Sequence, residues 1–292
     1  MYPASFEYHA PPTLDEALSL LERYGDDAKI LAGGQSLIPV MKLRFAAPDA
    51  VVDINRIPGL DGLGEENGAL RIGALVRHRT CEHSQLLRGR YGVLGEAAPL
   101  ISDPIVRNLG TVCGSLAHAD PQGDWGSAML AIGADVEARG PGGVRTIPIE
   151  EFFLGPFTTA LEPAEIVTGV RVRDPGARAG GAYLKLERKV GDFATAAVAV
   201  HLSLSNGTVE RAGIALTAVG PTNLKATAAE EALTGQPLDD GAIREAARLA
   251  AVECDPIGDL RGSPEYKRHV IRIFTERGLR KAAAAARAEV TP

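Results

Sequence analysis

The first 55 residues alternate between an amphipathic helix and short apolar strands. Thr13 and Glu16 form a capping box, and the apolar residues that follow recur at helical spacing, which predicts a helix. Apolar runs predict buried strands at 29–32 and 51–54. A glycine-rich turn and a helix capped by Ser36 lie between these strands. The pattern therefore predicts a small β–loop–α–β unit with parallel strands.

Residues 56–176 combine strand and helix periodicities. Apolar positions at strand spacing predict strands at 70–74, 135–139, 144–149 and 166–173. Helical spacing predicts helices at 80–87, 91–98 and 125–133. The stretch Ser102–Asn108 is predicted to be a loop that leads into a second glycine-containing segment.

The remaining residues predict an antiparallel sheet followed by helices. Asp174–Gly181 is the best linker candidate, and Asn206-Gly207 is typical of a hairpin turn. Strands are predicted at 182–188, 196–205 and 208–219, and helices at 226–234, 241–254 and 264–288. We therefore predict an α+β fold, with a two-part N-terminal α/β domain (1–176, divided into 1–55 and 56–176) and a C-terminal domain of antiparallel sheet plus helices (177–292).

Composition narrows the class of protein. The 292 residues carry a net charge of −6 and no run of Lys or Arg, which argues against nucleic acid as a partner. The 3 cysteines are isolated, so this chain alone does not supply the four thiolates that an iron–sulfur cluster normally needs. The N-terminus lacks the features of a signal peptide, and no stretch is apolar enough to span a membrane. We therefore expect a cytoplasmic protein.

Two glycine-containing segments are the strongest candidates for ligand binding. The first glycine segment is Ala32-Gly33-Gly34-Gln35-Ser36, and the second glycine segment is Thr111-Val112-Cys113-Gly114-Ser115. Glycine lets the backbone approach a ligand closely, so that N–H groups converge on an anion, and a following helix adds its positive end. Two such segments indicate a dinucleotide with two phosphates. Either segment alone also fits an ordinary strand-to-helix turn, and the first does not match the G-x-G-x-x-G pattern of Rossmann folds.

Polar residues near the second glycine segment allow more than one interpretation. Asp120 and Asp124 either turn their carboxylates toward a ligand or cap the following helix. His118 together with these aspartates suggests a metal site, but three ligands so close in one loop would be cramped, and we predict no metal. His78 and His83 are predicted to lie at the surface.

The charged stretch 185–195 is a further candidate. Its turn would aim Lys185 and Phe193 at a pocket in the N-terminal domain. It also fits an edge strand with a solvated basic face, and the stretch by itself favours that simpler structure.

Five segments resemble one family, the FAD-binding medium subunits of molybdenum hydroxylases (the xanthine dehydrogenase family). They are Phe6-Glu7-Tyr8, residues 32–37, 103–108 and 111–124, and Gly191-Asp192-Phe193-Ala194-Thr195. Each motif is moderately specific, whereas their order and spacing together are very specific. The likeness covers essentially the whole chain and is closest to the medium subunits of aerobic carbon monoxide dehydrogenases.

The resemblance implies that FAD is held non-covalently between the two domains, with its pyrophosphate between the two glycine segments. It places Ile101 near the flavin and Asp124 on the ribityl–adenosine part. It assigns Lys185 and Phe193 to the wall that the C-terminal domain contributes. The implied cofactor-binding residues are Lys29, Ile30, Leu31, Ala32, Gly33, Gly34, Gln35, Ser36, Leu37, Ile101, Thr111, Gly114, Ser115, Ala117, Asp120, Asp124, Lys185 and Phe193.

Two positions depart from the family pattern. Cys113 stands where a second glycine is frequent, and it would be strained if that site needs a positive φ. Phe193 stands where tyrosine is frequent, so a hydrogen bond from that hydroxyl is absent here.

The resemblance further implies an electron-transfer subunit without catalytic or metal-binding residues of its own. Electrons would pass from molybdenum cofactor on a large subunit, through 2Fe–2S clusters on a small subunit, to FAD here and on to an acceptor such as a quinone. The expected assembly is a dimer of heterotrimers with at most peripheral membrane contact through the quinone. The alternatives are a stand-alone FAD oxidase or reductase, a non-enzymatic dinucleotide-binding module, and the medium subunit of an aldehyde or N-heterocycle dehydrogenase.

Overall fold

The computed structural model describes residues 1–288, and the chain begins with a small parallel sheet. The elements of this first unit are β1 (Glu7–His9), α1 (Leu14–Tyr24), β2 (Ala28–Leu31), α2 (Leu37–Lys42) and β3 (Ala50–Asp53). β3 lies between β1 and β2 and is parallel to both, which confirms the β–loop–α–β prediction and adds β1 to it. Ser36 occupies the N-cap position of α2 but makes no side-chain capping bond, so the predicted cap is wrong.

The second unit is an antiparallel sheet with short helices around it. Its strands are β4 (Leu63–Glu66), β5 (Ala69–Gly73), β6 (Ala134–Gly140), β7 (Gly143–Pro148), the hairpin β8 (Phe153–Gly155) and β9 (Thr158–Thr159), and β10 (Ile166–Arg173). The main sheet has the order β4-β5-β10-β6-β7. The helices are α3 (His78–His83), α4 (Gln85–Arg88), α5 (Gly92–Ala97), α6 (Pro104–Leu109), α7 (Val112–His118), α8 (Asp124–Ile132) and α9 (Ile149–Phe152).

The third unit is a four-stranded antiparallel sheet with helices on one face. Its elements are β11 (Ala179–Leu186), β12 (Ala196–Ser205), β13 (Thr208–Thr217), β14 (Leu224–Lys225), α10 (Thr227–Leu233), α11 (Asp240–Glu253) and α12 (Pro264–Arg287). The strands lie in chain order, and Ser263 Oγ accepts the N–H of Tyr266 at 3.2 Å to cap α12. The predicted C-terminal domain ends with 289–292, which lie outside the described residues.

Strand β12 is buried on both faces. Ala197 belongs to the core that contains the second unit, whereas Val198 belongs to the core that contains α10, α11 and α12. On the neighbouring strand, a Cβ atom added to Gly213 would lie 1.8 Å from the carbonyl oxygen of Ala131 in α8. The third unit therefore packs directly on α8, with backbone against backbone.

Most predicted elements are confirmed with small shifts at their ends, and the main difference lies before the second glycine segment. Ser102–Asn108 is not a loop, since it contains most of α6. The Asp103 carboxylate accepts the N–H of Val106 at 2.8 Å, and proline suits the first turn of a helix. The predicted linker is shorter than expected, because β11 begins at Ala179.

Candidate cofactor site

A cavity of about 570 Å³ is lined by residues of all three units, and its volume is typical of cofactor sites. Leu31 and Asp120 do not line it. Asp120 Oδ1 instead accepts the N–H of Gln122 at 2.9 Å, which is a turn-stabilising role. The other implied cofactor-binding residues all line the cavity: Lys29, Ile30, Ala32, Gly33, Gly34, Gln35, Ser36, Leu37, Ile101, Thr111, Gly114, Ser115, Ala117, Asp124, Lys185 and Phe193. Their contacts with FAD stay a prediction.

The first glycine segment is in direct contact with the chain that leads into the second. A Cβ atom added to Gly33 would lie 2.4 Å from Leu109 O and 2.7 Å from Gly110 Cα, so a side chain has no room there. Gly34 has a φ of +71°, a conformation that L side chains rarely adopt. The wall of the cavity is therefore bare backbone at both glycines.

The second glycine segment is the start of a helix. Thr111 is the N-cap of α7, and its Oγ1 accepts the N–H of Gly114 at 3.1 Å. The N–H of Val112 donates to Val76 O, and that of Ser115 donates to Thr111 O. These three N–H groups are already paired within the protein, and the contact of this segment with an anion stays a prediction. The hydroxyls of Thr111 and Ser115 remain as polar groups at the cavity.

Cys113 is unstrained. It lies inside α7, so the site does not need a positive φ. Its thiol is buried against the carbonyl oxygens of Ile72 and Gly73, and burial raises its pKa to about 12. The cysteine is therefore a packed, protonated side chain.

A buried ion pair joins the third unit to α8. Lys185 Nζ lies 3.0 Å from the Asp124 carboxylate, with side chains 1% and 7% exposed, so the predicted solvated basic face is wrong for Lys185. The hydroxyl of Tyr183 donates to the other Asp124 oxygen at 2.8 Å. Burial raises the pKa of Asp124, and Lys185 opposes that shift. Lys185 also lies 3.4 Å from Glu187 Oε2, which leaves its ammonium surrounded by partners.

Two cations hold the backbone of residues 100–102, which precede α6. Lys185 Nζ donates to the carbonyl oxygen of residue 100 at 2.9 Å. Arg107 Nη1 donates to the carbonyl oxygens of residues 101 and 102 at 3.1 and 2.8 Å. Arg107 is also paired with Glu82 at 2.9 Å. Ser102 has a φ of +49°, and it lines the cavity with its neighbour 101. This wall therefore depends on both the second and third units.

Hydrogen bonds through Arg77 and Asn55, which the sequence does not predict, join the first glycine segment to Leu109, just before the second. Arg77 Nη2 donates to Asn55 Oδ1 at 2.6 Å, and Arg77 Nη1 donates to Leu109 O. Asn55 Nδ2 in turn donates to Ala32 O at 2.8 Å. The contacts join residues more than twenty positions apart, so no local pattern indicates them.

His78 does not lie at the surface, so that prediction is wrong. It is buried and lines the cavity, whereas His83 is exposed as predicted. Trp125 Nε1 donates to its Nδ1 at 3.0 Å, and burial lowers its pKa to about 4. The tryptophan lies in α8, and its distance along the chain explains why the pairing was not predicted.

His118 lines the cavity near the ring of Phe157, with ring centroids 5.2 Å apart, and burial lowers its pKa. Residues 1–288 contain no cluster of three or more His, Cys, Asp or Glu that could hold a metal ion. Over the same residues, no helix is long and apolar enough to cross a membrane.

The groups around the cavity fit a dinucleotide. Bare backbone at Gly33 and Gly34 admits close approach, and the hydroxyls of Thr111 and Ser115 can donate to phosphate or ribose oxygens. The half-exposed ring of Phe193 offers an apolar face for a flavin.

Comparisons with known proteins agree with this geometry. The family described as FAD binding domain in molybdopterin dehydrogenase matches residues 4–174, and the CO dehydrogenase flavoprotein C-terminal domain matches residues 181–282. The carbon monoxide dehydrogenase medium chain of Hydrogenophaga pseudoflava is 44% identical over 97% of this chain and 98% of its own length. The 6-hydroxypseudooxynicotine dehydrogenase complex subunit alpha of Paenarthrobacter nicotinovorans is 38% identical over 98% and 97%. A solved structure of carbon monoxide dehydrogenase from Hydrogenophaga pseudoflava, which lacks the Mo-pyranopterin moiety of the molybdenum cofactor, matches with a TM-score of 0.94 at 46% identity, covering 98% of this chain and 99% of that one.

Proposed function

This chain belongs to the family of FAD-binding subunits of molybdopterin dehydrogenases, and from that premise we propose that it is the electron-transfer subunit of a carbon monoxide dehydrogenase-type complex. It takes electrons from iron–sulfur clusters of a small subunit and passes them to an external acceptor such as a quinone. The observation that carries the proposal is the cavity whose wall combines both glycine segments with Lys185 and Phe193 of the third unit.

The cysteines support a division of labour between subunits. Cys81, Cys113 and Cys254 are all free and buried, and burial raises the pKa of the first two to about 12. The cysteines that bind an iron–sulfur cluster do so as thiolates, and usually four of them surround the same cluster. The iron–sulfur clusters therefore belong on a partner, and the molybdenum cofactor on the large subunit.

FAD, when bound, supplies reversible electron uptake and release, and the chain supplies its position. The first glycine segment would admit the pyrophosphate, and the hydroxyls of Thr111 and Ser115 would bind its oxygens or those of the ribose. Ile101 and Phe193, which line the cavity, would contact the flavin ring. Asp124, paired with Lys185, lies at the cavity wall as an acceptor for ribityl or ribose hydroxyls.

The substrate of the complex is carbon monoxide in this proposal, because the 44% identical relative is a carbon monoxide dehydrogenase chain. An aldehyde or an N-heterocycle is the alternative, since substrate binding resides on another subunit. A stand-alone oxidase would need a free base beside its substrate. The buried and half-buried carboxylates that line this cavity already have partners, since Asp124 is bonded to Lys185 and Tyr183, Glu165 is paired with Arg145 and Asp192 with Arg261; this disfavours a stand-alone oxidase.

The assembly follows from the same proposal. The chain joins a small iron–sulfur subunit and a large molybdenum subunit, and two such heterotrimers form a dimer. The complex acts in the cytoplasm and reaches a membrane only through its quinone acceptor.

The test is anaerobic reduction of the FAD-loaded chain, alone and with its partners. We expect dithionite to bleach the flavin of the isolated chain, and carbon monoxide to bleach it only after the small and large subunits are added. Bleaching of the isolated chain by carbon monoxide, an aldehyde or an N-heterocycle would contradict electron transfer from a partner. Reduction of the complex by an aldehyde but not by carbon monoxide would favour the alternative substrate.

A further inference from the structure

His78 is a buried imidazole at the cavity wall to which the proposed function gives no role. It is the first residue of α3 and is 5% exposed. Its backbone N–H donates to Gly110 O at 3.0 Å, which fixes the start of α3 beside the second glycine segment. The ring therefore has a defined position next to the cavity.

The indole of Trp125 sets the tautomer of this ring. An indole N–H can only donate, and Trp125 Nε1 lies 3.0 Å from Nδ1 of His78, so Nδ1 carries no proton. Burial lowers the pKa of His78 to about 4, so the ring is neutral near physiological pH. The single proton of the neutral ring is therefore on Nε2, which makes that atom a donor.

Nε2 lies beside Gly110, at the point where the backbone of Gly110 contacts that of Gly33. A Cβ atom added to Gly110 would be 2.7 Å from Nε2 of His78, and one added to Gly33 would be 2.7 Å from Gly110 Cα. All three residues line the cavity. Within residues 1–288, the bond from Trp125 is the one side-chain hydrogen bond of this ring, so Nε2–H is a donor at the cavity without a protein acceptor.

The nearby charges favour an anion at this donor. Arg77 and Arg107 are both close enough to lower the pKa of His78 further. Neither guanidinium lines the cavity, because Arg77 is bonded to Asn55 and Arg107 is paired with Glu82. They contribute positive potential without competing for the ligand.

We propose that His78 binds the diphosphate of the dinucleotide by donating a hydrogen bond from Nε2 to a phosphate oxygen. This inference rests on the proposed function, since it assumes FAD in the cavity. A ligand that carries the phosphates should depend on His78, and a ligand that carries only the flavin ring should not.

The first test compares FAD, ADP and riboflavin by calorimetric titration of the full chain freed of flavin. His78→Ala should weaken FAD and ADP binding about tenfold or more, as expected for losing a hydrogen bond to a charged group, and leave riboflavin binding unchanged. His83→Ala is the matched control, because His83 is exposed on the same helix. Equal weakening of riboflavin, or unchanged affinity for ADP, would overturn the proposal.

Nitrogen NMR of isotope-labelled histidine in the wild-type chain provides a second test that needs no substitution. We expect the Nε2–H tautomer at His78, and a shift of its Nε2 signal on addition of FAD or ADP but not of riboflavin. An Nδ1–H tautomer, or an Nε2 signal that ADP leaves unmoved, would refute the role of His78. Failure of the wild-type chain to bind FAD would instead refute the proposed function, while the tautomer could still be measured.

Discussion

The ammonium of Lys185 lies 3.0 Å from the carboxylate of Asp124, and both groups are buried where the third unit meets α8. Lys185 also donates to the carbonyl oxygen of Leu100, which directly precedes the cavity-lining residues 101 and 102. One side chain thus connects the C-terminal sheet, the helix that follows the second glycine segment, and one wall of the cavity.

Removing the positive partner of this pair should be costly. Lys185→Met leaves Asp124 buried without its cation, and we expect unfolding free energy to fall by about 3–5 kcal/mol. Urea unfolding measures the change. Adding Asp124→Asn to the same chain should restore part of the loss, because the uncompensated charge is gone. Lys189→Met is the control, since Lys189 is exposed, and a similar loss in that variant would contradict the argument.

Arg107 should matter for both stability and flavin binding. Arg107→Gln removes the cation that holds the carbonyl groups of residues 101 and 102, and we expect a loss of about 2 kcal/mol in stability together with weaker FAD binding. Flavin fluorescence during titration measures the affinity. Arg79→Gln, at an exposed position on α3, should change neither quantity. Wild-type affinity in Arg107→Gln would show that this wall does not need the cation.

The close contact of Gly33 with Leu109 and Gly110 predicts that one added methyl group strongly lowers the flavin content. Gly33→Ala places a Cβ atom 2.4 Å from Leu109 O, so the two stretches must separate and FAD content should fall sharply. Gly64→Ala is the matched control, because a Cβ atom there meets nothing within 4 Å, and it should keep its flavin. Absorbance of the purified chains gives the flavin content. Full flavin content in Gly33→Ala would mean that the close contact is dispensable.

Buried histidines should make the fold sensitive to acid. Burial lowers the pKa of His201 from 6.5 to about 3, and its ring nitrogens have no hydrogen-bond partner within residues 1–288. The unfolded chain takes up the proton that the folded chain excludes, so this contribution to stability is fully present above pH 6.5 and is lost as the pH falls toward 3.

His201→Leu should therefore flatten the acid side of the stability profile, measured as urea midpoints between neutral and acidic pH. His78, whose pKa falls to about 4, should leave a residual slope in that variant. His269→Gln serves as the control because His269 is exposed. Parallel profiles for wild type and His201→Leu would show that His201 does not carry the dependence.

Local patterns were sufficient for most elements of the fold. The capping residues Thr13 and Ser263 act on the N–H groups of Glu16 and Tyr266, as their spacing predicts. Helix α6 was missed because it has only six residues, too short for a periodic signal, although Asp103 and Pro104 mark its start.

The candidate site was predictable in its location but less so in its chemistry. Glycines in the sequence indicate where backbone without side chains can line a site, whereas the groups that contact this backbone come from distant parts of the chain. Arg77 meets Leu109, and His78 meets Trp125, only because the second unit folds α3, α6 and α8 together. The burial of Lys185 could likewise not be predicted, because a strand with charged residues is expected to face solvent unless the elements packed against it are known.

Strand β12 has a consequence for how the subunit works. The two family matches divide the chain into two halves, residues 4–174 and 181–282. Strand β12 contributes side chains to the hydrophobic cores on both of its faces, and Gly213 leaves no room for a side chain against α8. Bending one half against the other would break the backbone contact between Gly213 and Ala131 and separate the side chains that β12 contributes to both cores. We therefore expect the two halves to move as one block, so that in the proposed complex the separation between the flavin and its electron donor would be set when the subunits assemble.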